Sequence, residues 1–238
     1  MNRKFLFQKT YSMVRAFFIY LFFLLTFPVL SQEDKITHQL DVFTEIKAYD
    51  GLSIKLIKST ENKAVITGAN TQKVSIVNNN GILKVRMQID KLFSGFRTFV
   101  DLYYTEELVV IDVNEDAKIT SEGTIEQDVI ELKAQEGGEL EINAEVEQML
   151  VKSVMGGVVR TTGKSEVQDV AINTGGIYYG KDFITKFSTV NVNAGSKAEI
   201  HASNYVKATV KAGGEVLVHG DPAKMDEKTV FGGTVKRM

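Results

Sequence analysis

Glycine pairs recur at a nearly constant spacing through the second half of this chain, and they constrain its fold more than any other feature. Successive pairs lie 19, 19, 20, 18 and 19 residues apart, and they hold eleven of the 19 glycines. The pairs are Gly137-Gly138, Gly156-Gly157, Gly175-Gly176, Gly195-Ser196, Gly213-Gly214 and Gly232-Gly233. A fixed period of this length predicts a solenoid, in which each repeat forms one coil stacked on the last.

Apolar and polar residues alternate on both sides of each pair. This period of two is typical of half-buried β-strands, whereas an amphipathic helix needs a period of 3.6. The predicted inward residues are Leu132, Ala134, Leu140, Ile142, Val170, Ile172, Val190, Val192, Ala198, Ile200, Ala208, Val210, Val216 and Val218. A third apolar position falls roughly ten residues after a pair, at Val146, Val167, Ile184 and Val206. The chain is therefore predicted to be all-β.

Two or three short strands per coil predict a right-handed parallel β-helix-like solenoid with coils of about 19 residues. Glycine suits the corners because it adopts positive φ without steric cost, and because stacked corners leave little room for a side chain. Residues 113–119 lie about one period before Gly137 and read as a coil whose glycines were replaced. Glu227 and Thr229 stand at positions that are apolar in other coils, which is typical of a capping repeat.

Residues 32–104 are predicted to form an N-terminal β-region without a clear repeat. Apolar residues alternate over 52–56 and again over 74–89, on both sides of the turn at 78–81. That turn ends in Asn80-Gly81, a strong hairpin signal. Because no Pro/Ser-rich linker separates this region from the glycine-paired coils at 105–238, residues 32–238 are predicted to form a single β-solenoid domain.

Residues 1–31 are predicted to be a signal peptide. Four basic residues precede an apolar run over 16–27, and Val29 and Ser31 satisfy the small-residue rule for cleavage after Ser31. The apolar stretch is shorter than the roughly 20 residues of a spanning helix, so cleavage is favoured over a membrane anchor. Met13 is an alternative start. We therefore expect an exported protein that is periplasmic or at the cell surface, and not an integral membrane protein after cleavage.

Composition restricts the partners of this chain. It contains no cysteine, which excludes disulfides, thiolate metal sites and lipid attachment through an N-terminal cysteine. Cleavage after Ser31 removes four basic and no acidic residues, so the balance of 28 basic and 30 acidic side chains becomes more acidic. A chain with this balance has no strongly basic surface, and we expect no nucleic-acid partner.

The three histidines are candidate metal ligands. His201 and His219 lie about one period apart, so they could stack on neighbouring coils and bind a transition metal. The sequence places no Asp or Glu as a third ligand, and exposed histidines beside a strand end are the favoured interpretation. His38 falls in the start of the mature chain. We expect no metal and no cofactor.

Clustered carboxylates would indicate a glycan-active enzyme, since such sites use them for acid–base work or for calcium. The candidates in and before one coil are Glu122, Glu126, Asp128, Glu131, Glu136, Glu139 and Glu141. They do not recur in the same register on later coils, which favours a solvated acidic face. We expect no catalytic residues.

Tyrosines are the remaining candidates for ligand contact, because exposed tyrosines commonly touch sugars or proteins. Tyr178 and Tyr179 are adjacent, so alternation predicts that one points inward and one outward; Tyr205 follows in the next coil. For these tyrosines, packing in the core or an ordinary position on the surface is favoured over a role as a ligand-binding platform.

The chain resembles the head GIN domain family, exported bacterial β-proteins that are labelled autotransporter adhesins. The motifs that carry the resemblance are Phe43-x-x-Ile46-x-Ala48-x-x-Gly51-Leu52-x-Ile54, then Asn80-Gly81-x-Leu83-x-Val85, then the glycine-paired coils. The resemblance covers residues 40–235 or so and implies a β-helix-like solenoid behind a signal peptide. The segment 101–108 lacks the proline often seen before its leucine, and Asp116-Ala117 lacks the usual glycine. The family implies no catalytic residues.

These observations predict a non-enzymatic exported binding or adhesin-like module of the cell envelope, which presents flat β-solenoid faces to a protein or glycan. Two alternatives stay open: a polysaccharide-active β-helix enzyme, and a structural envelope component without a specific ligand. Strands at the ends of a solenoid can pair between chains unless they are capped, so a dimer also stays open.

Overall fold

A computed structural model describes residues 35–238, which form an all-β fold with a solenoid of about seven turns of about 19 residues. The predicted signal peptide lies outside the described residues. Within 35–238, no helix is long and apolar enough to cross a membrane. The all-β solenoid prediction is confirmed, and the handedness of the coil stays a prediction.

Sixteen strands join in one sheet over the described residues. They are β1 (Ile36–Gln39), β2 (Glu45–Ala48), β3 (Ser53–Lys58), β4 (Lys63–Gly68), β5 (Val74–Asn79), β6 (Ile82–Met87), β7 (Thr98–Tyr104), β8 (Val110–Val113), β9 (Lys118–Ala134), β10 (Glu139–Ser153), β11 (Val158–Ile172), β12 (Ile177–Val192), β13 (Lys197–Lys211), β14 (Glu215–His219), β15 (Lys224–Val230) and β16 (Thr234–Arg237). Short 3₁₀ helices cover Thr71–Lys73, Ile89–Lys91 and Gly95–Arg97.

Each central coil is one long strand, not the two or three short strands that the sequence predicted. Strands β9 to β13 are 15 to 17 residues long and pair in parallel with their neighbours. In β10 the buried residues are even-numbered from Leu140 to Val146 and odd-numbered from Met149 to Ser153. This change of phase marks a bend at which one residue, Glu147, has no partner in β11. The strand therefore turns a corner while it keeps its hydrogen bonds on either side.

The predicted inward residues form the core. All fourteen are buried, and none is more than 2% exposed. At the third apolar position the prediction was wrong for Val167, which is only half-buried and lines the outer groove, and for Ile184, whose side chain is 55% exposed. A register shift after Arg160 pairs Gly163 with Phe183 and puts Phe183 in the interior, so Ile184 faces outward.

The glycine pairs occupy tight turns whose two central residues both have positive φ, as in type I′ turns. In one of them Glu136 and Gly137 have φ 51 and 78, and the Gly138 N–H donates to the Gln135 carbonyl at 2.8 Å. Successive turns are joined as well, because the Gly137 N–H donates to the carbonyl of Met155 at 3.2 Å. The corners thus form a hydrogen-bonded stack of their own.

The turn at Glu115-Asp116 has the same geometry without glycine. Both residues have positive φ, 51 and 58, and the Ala117 N–H donates to the Asn114 carbonyl at 3.0 Å. Aspartate tolerates this left-handed region better than most residues with a side chain. The interpretation of residues 113–119 as a coil with replaced glycines agrees with this geometry.

Two further coils lie within the N-terminal β-region, and the spacing of the glycines did not show them. Strands β2 and β3 flank the turn Asp50-Gly51 and pair in parallel with β8 and β9. Strands β6 and β7 pair in parallel with the other edges of β2 and β3. The coils therefore stack in the order β6–β7, β2–β3, β8–β9, which differs from their order in the chain.

Antiparallel strands cover the N-terminal end of the solenoid. Strand β4 pairs with β7, β1 pairs with β4, and β5 pairs with β6. The β5–β6 pair is the predicted Asn-Gly hairpin, with Asn80 and Gly81 at φ 52 and 83. The hairpin ends one apolar position earlier than predicted, since β6 stops at Met87 and Ile89 is 87% exposed. At the other end, Glu227 and Thr229 are exposed on β15, as a capping coil predicts.

Candidate functional site

Four of the seven carboxylates considered as an acidic cluster form ion pairs with neighbouring coils. Glu139 lies 3.6 Å from Arg160, and Glu141 lies 3.4 Å from Lys118. Glu122 reaches Lys55 at 2.9 Å. Glu126 and Asp128 are exposed, and Glu136 is part of a corner. The structure does not gather these carboxylates into one cleft, which agrees with a solvated, ion-paired face.

Glu131 has two lysine partners, more than any other acid of this group. Lys133 and Lys152 approach it at 2.9 and 2.7 Å. Burial opposes ionisation of Glu131, but hydrogen bonds from the two lysines outweigh that effect, so its pKa lies below the usual range. A carboxylate held in this way is a structural ion-pair partner and is poorly suited to act as a general base.

The structure brings two of the three histidines together. His201 on β13 and His219 on β14 are direct register partners, as the period predicted. His201 Nδ1 lies 3.1 Å from the Lys181 carbonyl, whereas His219 Nε2 is buried and has no hydrogen-bond partner within residues 35–238. Over the same residues, no three His, Asp or Glu side chains form a group that could hold a metal. His38 is exposed on β1.

The adjacent tyrosines divide as alternation predicted. Tyr178 is fully buried, and Tyr179 faces outward with its ring centre 5.0 Å from the guanidinium carbon of Arg160. Tyr205 is also on the outer surface, where its hydroxyl donates to Asp226 Oδ2 at 2.7 Å. This hydrogen bond raises the pKa of Tyr205. The polar atom of Tyr205 is thus already engaged within the chain.

A groove runs along the outer side of the mid-strand bends and crosses strands β9 to β13. Its volume is about 860 Å³. Apolar side chains from four successive coils line it: Val129, Val146, Val167 and Ile184. Two of them are exposed large apolar residues, Val129 at 42% and Ile184 at 55%. Exposed apolar surface that is continuous across coils marks an interaction site more often than scattered single residues do.

The register extends this apolar line into a column. Val167 pairs with Phe187, and Phe187 pairs with Tyr205 on the next strand. Phe187 is 38% exposed. Neighbouring strands lie about 4.8 Å apart, so the column presents one side chain at each step along the solenoid axis, with Gln148 of β10 between Val129 and Val167. Ile184 lies beside the column, where it pairs with Lys164. We call Val129, Val167, Ile184 and Phe187 the groove stripe.

Charged residues border the groove stripe as closed pairs. Lys164 lies 2.9 Å from Glu145, and Lys186 lies 2.7 Å from Glu166. Hydroxyl groups from Ser165, Thr185 and Ser203 complete the lining. The groove therefore has an apolar centre and a polar rim in which both lysines are paired, while Glu147 makes no ion pair within residues 35–238.

A buried hydrogen-bond network lies beneath the groove. Gln168 Nε2 donates to Ser188 Oγ at 2.8 Å and to Thr185 Oγ1 at 3.1 Å. Gln168 Oε1 accepts from the Tyr178 hydroxyl at 3.1 Å, which also lies 2.9 Å from Thr161 Oγ1. All five side chains are buried. Satisfied polar networks of this kind make a core rigid, so the groove has a firm floor.

The sequence interpretation missed both the groove stripe and the polar network. Val129 and Phe187 lie on the outer side of a bend whose position depends on the register between coils. The available signal was the alternation itself, in which Val167 and Phe187 are out of phase with the inward residues that follow them; Ile184 is in phase with Val190 and Val192 and gave no such signal.

The fold and the groove define a class of protein: a β-solenoid with a groove along one side. The chain belongs to the family described as "Putative auto-transporter adhesin, head GIN domain", whose sequence pattern matches residues 42–222. The resemblance stated from the sequence is thereby confirmed. Membership indicates a surface or exported protein with an adhesin-like binding role. No curated protein matches the chain.

Solved structures share the fold. A "putative adhesin" from Bacteroides fragilis aligns with a TM-score of 0.78 at 16% identity, over 87% of this chain and 98% of that one. A "putative adhesin" from Parabacteroides distasonis aligns with a TM-score of 0.66 at 17% identity, over 87% and 97%. A "putative lipid binding protein" from the same species gives 0.64 at 11% identity, over 88% and 98%.

Proposed function

We propose that this protein is a non-enzymatic, exported binding module of the cell envelope that holds an extended segment of a partner protein in its groove. The groove stripe carries the proposal, because it presents apolar side chains from three coils of a rigid scaffold, those of β9, β11 and β12. An apolar centre inside a polar rim is the usual anatomy of a protein–protein interface. The adhesin description of the family supports a binding role.

A protein partner is favoured over a glycan by the chemistry of the stripe. Sugar-binding surfaces commonly use aromatic side chains with polar tips, and here Phe187 has no polar tip while the Tyr205 hydroxyl is bonded to Asp226. Both rim lysines are paired with glutamates, so an apolar segment that enters the groove meets one uncompensated rim charge, that of Glu147.

The polysaccharide-active alternative has weaker support. Two carboxylates, Glu147 and Glu166, belong to the groove lining, and Glu166 is ion-paired with Lys186. A hydrolase needs one protonated and one ionised carboxyl group placed on either side of a scissile bond. The proposed export rests on the signal-like residues 1–31 and on the family, which together favour the periplasm or the cell surface.

Photo-crosslinking in living cells tests the proposal. A photoreactive amino acid replaces Ile184 in the groove, and in a matched strain it replaces Val77, which is 53% exposed on β5. We expect a discrete protein adduct at position 184 and none at 77. The captured protein is then purified, and its affinity should fall about tenfold on Phe187→Ser, since the loss of an interface aromatic costs on the order of 1–2 kcal/mol.

Three results would contradict the proposal. One is equal adducts at both positions, or none at 184. A second is an affinity that Phe187→Ser leaves unchanged. The third is binding on a glycan array, or release of reducing ends from a polysaccharide panel, that Phe187→Ser abolishes; it would assign the groove to a carbohydrate.

A further inference from the structure

A second apolar surface lies at the N-terminal end of the solenoid, on the loop between β6 and β7. Its residues include five of the large hydrophobic side chains that the described part of the chain exposes: Ile89 at 87%, Leu92 at 40%, Phe93 at 59%, Phe96 at 59% and Phe99 at 50%. We call residues 88–99 the apolar loop. Three of the chain's 14 phenylalanines lie within its last seven positions. A cluster of this density marks an interaction surface.

The backbone of the apolar loop is fixed to the first glycine corner. Asp50 is fully buried, and its carboxylate accepts hydrogen bonds from the Met87 N–H at 2.9 Å and the Phe93 N–H at 3.2 Å. The Gly95 N–H donates to the Asp50 carbonyl at 2.9 Å. A Cβ on Gly95 would lie 2.5 Å from that carbonyl oxygen, so only glycine permits this approach. The hydrophobic side chains are therefore exposed on a loop whose backbone is hydrogen-bonded to Asp50 at three positions.

Phe93 is in an unusual backbone conformation. Its φ is 55, a left-handed value that bulky residues rarely adopt and that asparagine adopts more easily. Strain of this kind persists where the surroundings enforce it, and it concentrates at functional sites. Phenylalanine does not favour this backbone conformation, so its presence here points to a role for the exposed ring.

The electrostatics of the apolar loop differ from those of the whole chain. Residues 88–99 contain two basic side chains and one acidic one, whereas the chain as a whole has 28 basic and 30 acidic. The single acid, Asp90, is paired with Lys73 at 2.8 Å. Lys91 and Arg97 are exposed and make no ion pair within residues 35–238. The loop thus combines exposed rings with two uncompensated cations.

We propose that the apolar loop seats this protein on an anionic lipid surface. Ile89, Phe93 and Phe96 enter the interfacial region, and Lys91 and Arg97 contact anionic headgroups. Aromatic and aliphatic side chains flanked by Lys and Arg are the composition of interfacial membrane contacts. A lipid surface accepts side chains that protrude this far without needing a complementary shape, which a protein partner or a second copy would have to supply.

Vesicle co-sedimentation of the exported protein tests this assignment, with phosphatidylcholine vesicles that contain or lack phosphatidylglycerol. The test variant is Ile89→Ser combined with Phe93→Asn, in which asparagine suits the left-handed φ. We expect the partition coefficient to fall at least about tenfold, because each buried side chain of this size contributes about that factor or more. Lys91→Glu with Arg97→Glu should remove the preference for phosphatidylglycerol.

Phe231 provides a matched control at the opposite end of the solenoid. It is 87% exposed, more than Phe93 at 59%, and has φ 51, so Phe231→Asn removes a more exposed ring from the same backbone conformation. We expect it to leave vesicle binding unchanged, as should the groove variant Phe187→Ser. These two controls separate failure of the lipid assignment from failure of the groove proposal.

Each of the following outcomes would overturn the lipid assignment. The wild-type protein shows no binding to either vesicle. The loop variant binds as tightly as wild type, or Phe231→Asn loses as much affinity as the loop variant. In a third outcome, light scattering shows a dimer for the wild-type protein and a monomer for the loop variant, and neither protein binds vesicles. That outcome would assign the apolar loop to contact with a second copy of the chain.

Discussion

At the scale of single residues, the buried amide of Gln168 organises the interior beneath the groove. One side chain satisfies three hydroxyl groups of the next coil, because its amide nitrogen and oxygen point to different neighbours. An unpaired polar group in such a place costs more than a hydrogen bond gains. The network therefore stabilises this core only while every member is present.

Replacement of Tyr178 by phenylalanine tests this network. Removal of the hydroxyl leaves Thr161 Oγ1 and Gln168 Oε1 without a partner, so we expect a loss of about 1–3 kcal/mol in the free energy of unfolding. Tyr179→Phe is the matched control: its ring faces outward, and its cost should stay within about 0.5 kcal/mol. Urea unfolding with unchanged m-values measures both. Equal costs at the two positions would contradict the assigned role.

The stability difference between the wild-type protein and Tyr178→Phe should depend on pH in the alkaline range. Burial raises the pKa of Tyr178 above its ordinary value of 10.0, so the folded state holds the neutral form. The stability from this group is complete below pH 10 or so and decreases as pH rises, because the unfolded chain then releases the proton first. The gap between wild type and Tyr178→Phe should therefore narrow above about pH 10. Tyr49 and Tyr104, whose pKa values burial also raises, contribute to both proteins equally.

At the scale of elements, the two glycines of a corner meet two different requirements. Gly156 has φ +74 and open space around the position of a Cβ, whereas a Cβ on Gly157 would lie 2.2 Å from the Ala134 carbonyl oxygen. The first glycine therefore serves the backbone conformation of the turn, and the second permits close approach of the previous coil. The second requirement varies along the chain, since Ala117 and Ser196 occupy that position in two corners.

Alanine substitutions separate the two requirements. Gly156→Ala should cost about 1–2 kcal/mol, the penalty for a left-handed residue with a Cβ. Gly157→Ala should cost about 3 kcal/mol or more, because backbone must move to relieve the clash. Guanidinium unfolding of the two variants gives the comparison. A larger loss for Gly156→Ala would show that backbone conformation, and not coil spacing, limits the corner.

At the scale of the whole molecule, the two ends of the solenoid are protected differently. Antiparallel strands β1, β4 and β5 cover the N-terminal end, while β15 and β16 leave most of their side chains exposed at the other. Charged residues fill this last edge, including Lys224, Asp226 and Lys236. Charges on an edge strand oppose pairing with another chain. A dimer through that edge is thus disfavoured, and the oligomeric state stays a prediction.

Hydrogen exchange should report this asymmetry. Stability in a solenoid is shared between nearest neighbours, so a terminal coil with one neighbour opens more easily than a central one. We expect amides of β15 and β16 to exchange fastest among the strands, and those of β10 to β12 slowest. Mass spectrometry of peptic fragments resolves the gradient. Uniform protection from β9 to β16 would indicate that the solenoid unfolds as one cooperative unit.

The sequence by itself determined the all-β class, the coil length, the inward ladder and the Asn80-Gly81 hairpin. These are local properties, because alternation sets which face of a strand is buried and glycine sets where a tight turn is allowed. Only the tertiary structure decided the stacking order of the first coils, the outward position of Ile184 and the clamp of Asp50 on the apolar loop. Each depends on the register between segments far apart in the chain, and one residue of register shift moves a side chain from the core to the surface.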